Sequence, residues 1–272
     1  MSKQGSSFKD ALQSIFATSV ILIAFLVSLY LYSQVMGDPV NFEGGNPHGT
    51  PLQGNYLGII YKGGFIVPLL MTCVMVVIIM AIERYFTLTR AKGKGRLSVF
   101  VRKLQTLMAE DKIEEAIEEC DRQRGSLANV MKAGLIRYRE LQNDKTLMKD
   151  QKILSIQKAF EEATALELPM LGRNMVFFAT LAPGTVLIGL IGTVLGMIRA
   201  FAALAQSGAP DALALSQGIS EALVNTAFGI TGSTLSILAF NYFTTNIDSY
   251  TFKIDEAGFS LTQNFAASLK DK

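Results

Sequence analysis

Charge is scarce in this sequence, and over four long stretches it is missing altogether. Only 18% of its 272 residues are Asp, Glu, Lys or Arg, half are apolar, and the mean hydropathy is +0.32. Ordinary soluble domains carry about 25% charged residues, so a soluble enzyme is a poor fit. No alternating apolar/polar run of useful strand length occurs, which argues against a β-rich fold. No glycine-rich phosphate loop occurs, which argues against nucleotide-driven chemistry. The two cysteines, Cys73 and Cys120, fit no metal or redox spacing and read as reduced packing residues. The single histidine, His48, lies in the turn-rich run Gly44-Gly-Asn-Pro-His-Gly-Thr-Pro51 and reads as a solvated loop residue. Glu114, Glu115, Glu118 and Glu119 come without a His or a turn-bound Asp pattern, so they read as a solvated face and not a metal site. No cofactor, metal or nucleic-acid partner is expected.

The uncharged stretches lie between Asp10 and Asp38, Lys62 and Glu83, Arg173 and Arg199, and Glu221 and Asp248. Each leaves at least ~20 residues, enough to cross ~30 Å of hydrocarbon at ~1.5 Å per residue. The expected fold class is therefore an all-α polytopic membrane protein with four transmembrane helices. Lys3 and Lys9 suit the n-region of a cleaved leader. The apolar run Ala11–Met36, however, exceeds the usual ~7–15-residue core of a leader and is followed by no A-x-A site, which favours a retained anchor. Lys and Arg crowd the segment from Glu83 to Arg173, whereas the Asp38–Lys62 connection carries only Lys62 and the Ala205–Gln217 connection none. By the positive-inside rule both termini and the central segment are cytoplasmic. The expected order is a stub and extra membrane helix (1–37), a periplasmic loop (38–62), a membrane helix (63–85), and a helical cytoplasmic domain (86–173). A membrane helix (174–204), a short periplasmic turn (205–210), a membrane helix (211–247) and a cytoplasmic tail (248–272) follow.

Within the central domain, Ile113, Ile117 and Cys120 recur at helical spacing, as do Val130, Leu135 and Tyr138, and then Ile153, Ile156, Phe160 and Ala163. The second membrane helix is expected to end near Glu83-Arg84. The basic run Arg90, Lys92, Lys94 and Arg96 then reads as a positive-inside anchor, with a sharper reading as a contact for anionic membrane lipid. The last cytoplasmic helix is expected to continue through Pro169 into the third membrane helix, with Pro183 inside it, and Pro210-Asp211 suits the start of the fourth.

The residues that carry chemistry lie in these last two membrane helices. Thr185, Gly189, Thr193, Gly196 and Ala200 recur at three- or four-residue steps, with Gly192 among them. Glu221, Asn225, Gly229, Gly232 and Ser236 do the same, with Thr226 and Ser233 on the adjacent strip. Small-xxx-small faces are common packing surfaces. A packing surface has no need of a carboxylate, and an ionisable group inside hydrocarbon carries a penalty of at least ~2.5–3.5 kcal/mol. Glu221 would lie ~15 Å along its helix. Threonine hydroxyls can both donate and accept along a wet path, and a carboxylate in a low-dielectric site can hold a proton. The pair of faces reads as an ion path.

The run Ala182-Pro183-Gly-Thr-Val-Leu-Ile-Gly189-Leu-Ile-Gly192-Thr193-Val-Leu-Gly196 resembles one signature of the MotA/TolQ/ExbB proton-channel family. Gly218-Ile-Ser-Glu221-Ala-Leu-Val-Asn-Thr226-Ala-Phe-Gly229 resembles the second, and Leu166-Glu-Leu-Pro169-Met-Leu171 the approach to the first. The likeness covers roughly Gly63 to the C-terminus and is nearest the ExbB branch. The resemblance implies a pentameric motor subunit of the bacterial inner (cytoplasmic) membrane. It would surround the single helices of an ExbD-like partner, work with a TonB-like protein and energise import across the outer membrane. A TolQ-like role in envelope integrity is the neighbouring alternative. The resemblance puts the titrating aspartate on the partner, faces it with Thr193 and Thr226, and matches Glu221 to the family's buried glutamate. Three features depart from the family: the extra first helix, Asn225 where a small apolar residue is usual, and Arg199, which is expected to snorkel to the outer interface. A secondary transporter fits less well, having neither an inverted repeat nor paired broken helices here, and a passive scaffold leaves Glu221 unexplained.

The charge asymmetry makes a direct prediction. A cysteine at Asn46 is labelled by a membrane-impermeant maleimide in cells with a permeabilised outer membrane, and one at Asn143 is not; the reverse pattern contradicts the topology.

Overall fold

The computed structural model describes residues 18–47, 49–142, 144, 146–205 and 211–268, which leaves His48 and the 206–210 connection outside the described residues. What is described is helical, apart from loops and one isolated bridge between Phe42 and Pro51. The chain divides into two compact units, Met1–Ile82 with Val176–Phe240, and Glu83–Met175 with Asn241–Lys272. Four helical stretches are long and apolar enough to cross a membrane: Thr18–Met36, Ile66–Ala91, Lys149–Ala205 and Ala212–Ala267.

The first unit holds α1 (Thr18–Met36), α2 (Tyr56–Tyr61) and the first part of α3 (Ile66–Ala91). It also holds α8 (Met175–Ala205) and the first part of α9 (Ala212–Ser268). The end of α1 widens into a π-helix over Leu31–Met36. Its last carbonyls need partners, and Asn41 supplies them, its Nδ2 donating to the Val35 and Met36 carbonyls at 2.8 and 3.1 Å. Asn55 caps α2, its Oδ1 accepting from the Leu57 and Gly58 amides. Met36, Val67 and Met71 form a buried cluster with Tyr32, Tyr61 and Val224 against it. The Tyr32 and Tyr61 rings stack at 4.8 Å, and the Tyr32 hydroxyl donates to the Tyr61 carbonyl at 2.9 Å. At the start of α9, Asp211 Oδ1 accepts from the Leu213 and Ala214 amides, so the helix begins where the Pro-Asp pair indicated.

The second unit holds α4 (Leu97–Ala109), α5 (Ile113–Gln123), α6 (Ser126–Gln142) and α7 (Lys149–Leu171), with the ends of α3 and α9. The apolar positions expected on α5 and α6 are buried, as are Ile156 and Phe160 on α7. Sequence periodicity missed α4, whose Phe100, Leu104 and Met108 are buried at four-residue steps.

Two expected boundaries are wrong. The helix expected to end near Glu83-Arg84 continues as α3 to Ala91, and the turn that follows has Gly93 at φ +71°. It tolerates the charged pair because Arg84, almost wholly buried, is held by Glu83 through Nε and Nη2, both at 2.6 Å. Glu83 in turn accepts from Thr87 at 2.8 Å, and Arg84 also donates to the Leu171 carbonyl at 3.4 Å. A buried cation with a bidentate carboxylate is tolerable where an unpaired one is not. The second error concerns α7, which does run through Pro169 but stops at Leu171. Gly172 caps it, and Asn174, at φ +60°, turns the chain before α8 begins. A left-handed residue cannot continue a right-handed helix.

Cys120 shows how tightly the second unit is packed. It is 2% exposed, and burial, joined by the neighbouring Asp121 and Glu119 carboxylates, pushes its thiol up to about 12. Thiolate is the reactive form, so its fraction stays negligible below pH 10 and rises only as pH nears the raised value. In a Cys73→Ala background, Cys120 is expected to resist N-ethylmaleimide at pH 7–9 and to react at once in denaturant; fast labelling of the folded protein contradicts this packing.

Candidate functional site

The last two apolar helices meet backbone to backbone. A Cβ on Gly189 would lie 2.9 Å from the Asn225 carbonyl oxygen and 3.0 Å from Gly229 Cα. One on Gly196 would lie 2.7 Å from the Gly218 carbonyl and the Ala222 amide nitrogen, and one on Gly218 would meet the Gly196 carbonyl at 2.7 Å. Gly192 makes room for the Asn225 side chain, whose Cβ would stand 2.5 Å from an added methyl. A Cβ on Gly229 would lie 3.0 Å from the Thr185 carbonyl oxygen. The sequence left these residues as packing or pore face, and the geometry makes Gly189, Gly192, Gly196 and Gly229 packing residues, with Gly218 added to their number. The buried hydroxyl of Ser236 donates to the Phe178 carbonyl at 2.8 Å and ties the same pair of helices together. Ser233, also expected on this strip, is buried.

Thr193 and Thr226 lie at the edge of that contact. Their hydroxyl oxygens are 2.6 Å apart, and either can donate. Thr193 is 3.0 Å from the Gly189 carbonyl, and Thr226 is 3.1 Å from the Ala222 carbonyl. Each hydroxyl has one proton and two lone pairs. The pair can therefore be ordered Thr193 to Thr226 to Ala222, or Thr226 to Thr193 to Gly189, and reversing the order moves no heavy atom. Both threonines are half-buried, and the neighbouring Leu190, Val194, Leu223 and Ile230 are exposed. In this chain by itself, a polar pair thus sits within an open apolar surface.

Glu221 is buried, at 4% exposed, but it is not alone. Arg199 Nη1 donates to both its oxygens at 2.7 Å, with the arginine side chain half exposed. The sequence did not announce this partner for Arg199; a buried carboxylate one helix away gives the guanidinium a charge-assisted contact to both oxygens. Gly64, at φ +78°, backs the pair, and a Cβ there would lie 2.5 Å from Glu221 Oε1. Asn225 is fully buried and donates through Nδ2 to the Gly63 carbonyl at 2.9 Å. Its Oδ1 has no hydrogen-bond partner among the described residues. The Gly63–Gly64 turn ahead of α3 is therefore tied to α9 by Asn225 and backed by Glu221, a link that no local spacing announces. A cavity of about 350 Å³ opens over the pair, bordered by Tyr61, Lys62, Arg199, Gln217 and Glu221. Of the basic run expected to meet lipid, Lys92 and Arg96 border a groove in the second unit, and Arg90 and Lys94 are not among its lining residues.

A model of the MotA/TolQ/ExbB proton channel family matches residues 122–256, the stretch that contains the threonine pair and the Arg199–Glu221 ion pair. The chain belongs to this family. It is a multi-pass membrane protein of a channel family and not an enzyme. Similar relatives include the putative biopolymer transport protein ExbB-like 3 of Synechocystis sp., 40% identical over 31% of this chain and 41% of the relative. The biopolymer transport protein ExbB of Salmonella typhimurium is 32% identical over 29% and 33%. The Tol-Pal system protein TolQ of Pseudomonas aeruginosa is 27% identical over 42% and 49%. The chain thus spans between a third and a half of the length of these relatives.

The ion pair predicts a rescue. Arg199→Met leaves a buried carboxylate without its counter-ion and destabilises the protein; adding Glu221→Gln removes the stranded charge. The double variant is expected to unfold in detergent at a higher temperature than Arg199→Met alone, with a coupling of about 0.5–3 kcal/mol. Strict additivity means that the two side chains do not share an interaction.

Proposed function

We propose that this chain is the channel-forming subunit of an ExbB-like motor, in which proton flow drives mechanical work on the cell envelope. The observation that carries the proposal is the hydroxyl-to-hydroxyl contact of Thr193 and Thr226, at 2.6 Å, within an exposed apolar surface. A single copy cannot enclose a path with that surface. Several copies, a pentamer by family resemblance, would turn it inward around the single helices of an ExbD-like partner. A TonB-like protein would couple the motion to outer-membrane import. The partner's acidic group would then pass its proton along the threonine pair, whose two hydrogen-bond orders make it a relay without a charge of its own. Glu221, held by Arg199, positions α8 against α9; it is not the proton carrier. The Lys/Arg asymmetry supports an inner-membrane protein with cytoplasmic termini and a cytoplasmic domain between α3 and α8. The likeness to a TolQ sustains a second reading, the same motor serving envelope integrity.

Valine keeps the shape of threonine and removes the hydroxyl, at a stability cost of about 1 kcal/mol per lost hydrogen bond. The Thr193→Val/Thr226→Val variant is expected to reach wild-type abundance and oligomer mass yet lose energy-dependent import, or tolerance of envelope stress if the TolQ-like reading holds. Normal function in both assays removes the threonine pair from the mechanism. Glu221→Gln keeps hydrogen bonding to Arg199 and is expected to retain partial activity, whereas Glu221→Ala loses it. An active Ala variant contradicts the positioning role.

A further inference from the structure

Several charges of the second unit are paired. Lys103 meets Glu119 at 2.7 Å, Lys132 meets Asp121 at 2.6 Å, Arg137 meets Glu140 at 2.9 Å and Arg139 meets Glu114 at 3.0 Å. Four of the cations without an ion pair lie together. Lys92, Arg96, Arg102 and Lys253 make no ion pair among the described residues, yet they border one groove of about 630 Å³. The only carboxylate lining it, among the described residues, is Glu256. The groove also presents the hydroxyls of Ser98 and Ser249, so it offers donors of two kinds and a net positive field. Holding four like charges around one concavity is unfavourable unless an anion neutralises them.

The position of the groove narrows the anion. Lys92 follows immediately on α3, a candidate membrane span that ends at Ala91. Asn246 and Ser249, which line the same groove, flank Asp248, where charge returns to α9 after Glu221. Charge returns to α3 at Glu83 and to α9 at Asp248, so both helices reach the groove beyond their uncharged stretches, on the side of the phospholipid headgroups. Basic pockets on that side bind acidic headgroups, and arginine forks match phosphate oxygens in pairs.

We propose that the groove formed by Lys92, Arg96, Arg102 and Lys253 binds a phosphate-bearing anion: the headgroup of an acidic phospholipid, or a soluble phosphate. The lipid source rests on reading α3 and α9 as membrane spans; neither source depends on the proton path. Lys92 and Arg96 were legible as lipid contacts in the sequence; Arg102 and Lys253 join them only through the fold.

The full-length protein in detergent is titrated with dioleoylphosphatidylglycerol and with dioleoylphosphatidylcholine, and bound lipid is counted by native mass spectrometry, with and without millimolar inorganic phosphate. Wild-type protein is expected to retain phosphatidylglycerol in preference to phosphatidylcholine. Arg96→Gln/Lys253→Gln is expected to weaken that binding by roughly tenfold or more, in line with the contribution of each basic residue near an anionic surface. Arg122→Gln/Lys158→Gln, which removes the same charge elsewhere in the unit, should have no effect. Displacement by inorganic phosphate identifies a soluble phosphate as the occupant; lipid retention in its presence identifies the headgroup. If the first variant does not fold, Lys92→Gln/Arg102→Gln tests the same groove. Equal binding by the groove variants and the control variant overturns the proposal, as does indifference to both lipid charge and phosphate. Because no proton flux or import is measured, this failure is separate from a failure of the motor reading.

Discussion

Everything in the site depends on how closely two backbones can approach. Gly189, Gly196, Gly218 and Gly229 bring α8 and α9 to a separation at which added methyl carbons would stand 2.7–3.0 Å from main-chain atoms of the other helix. Lipid tails are as apolar as leucine, so between membrane helices burial of apolar surface drives little, and close van der Waals packing with interhelical hydrogen bonds must do the holding. Only glycine permits this approach, and only this approach lets two short threonine side chains touch. A wider crossing would separate the hydroxyls, and each would fold back on its own helix alone.

The polar residues divide their work along the same contact. Asn225 and Glu221 face inward and are buried, one tied to the Gly63 carbonyl and the other to Arg199. The first ties the turn ahead of α3 to α9, and the second ties α8 to α9. Thr193 and Thr226 face the edge, where an outside group can reach them. A carboxylate that is neutralised and locked suits a structural role, and a pair of neutral hydroxyls with reversible order suits transfer. This separates two tasks that the sequence pattern grouped together, with Thr193, Thr226 and Glu221 on one path.

Much of this was legible from spacing alone. The four uncharged stretches, the helical stripes of α5, α6 and α7, and the two threonine-bearing faces follow from periods of three and four and from the scarcity of charge. What was not legible involves partners distant in sequence. Arg199 lies 22 residues from Glu221, and Asn225 lies 162 from Gly63. Nothing local says that they meet. Arg84 reads in sequence as the start of the charged segment, yet it is buried, because its neighbour Glu83 satisfies two of its nitrogens. Charge counts see a residue's valence and not its partner, so they ended α3 too early. The break at Asn174 was missed for a related reason. Asparagine adopts the left-handed region readily enough to turn the chain, and here it does so two residues after Gly172, a lone glycine that an apolar helix also tolerates.

The central claim is that the Thr193–Thr226 seam faces an acidic group on another chain. Disulfide trapping tests it directly, with cysteine replacing the acidic residue in the membrane helix of the ExbD-like partner, in a chain otherwise lacking cysteine. The account predicts rapid cross-linking to Thr226→Cys and little to Leu238→Cys, whose side chain is also exposed but stands on another face of α9. Cross-linking through position 238 and none through 226 would place the partner elsewhere and contradict the account.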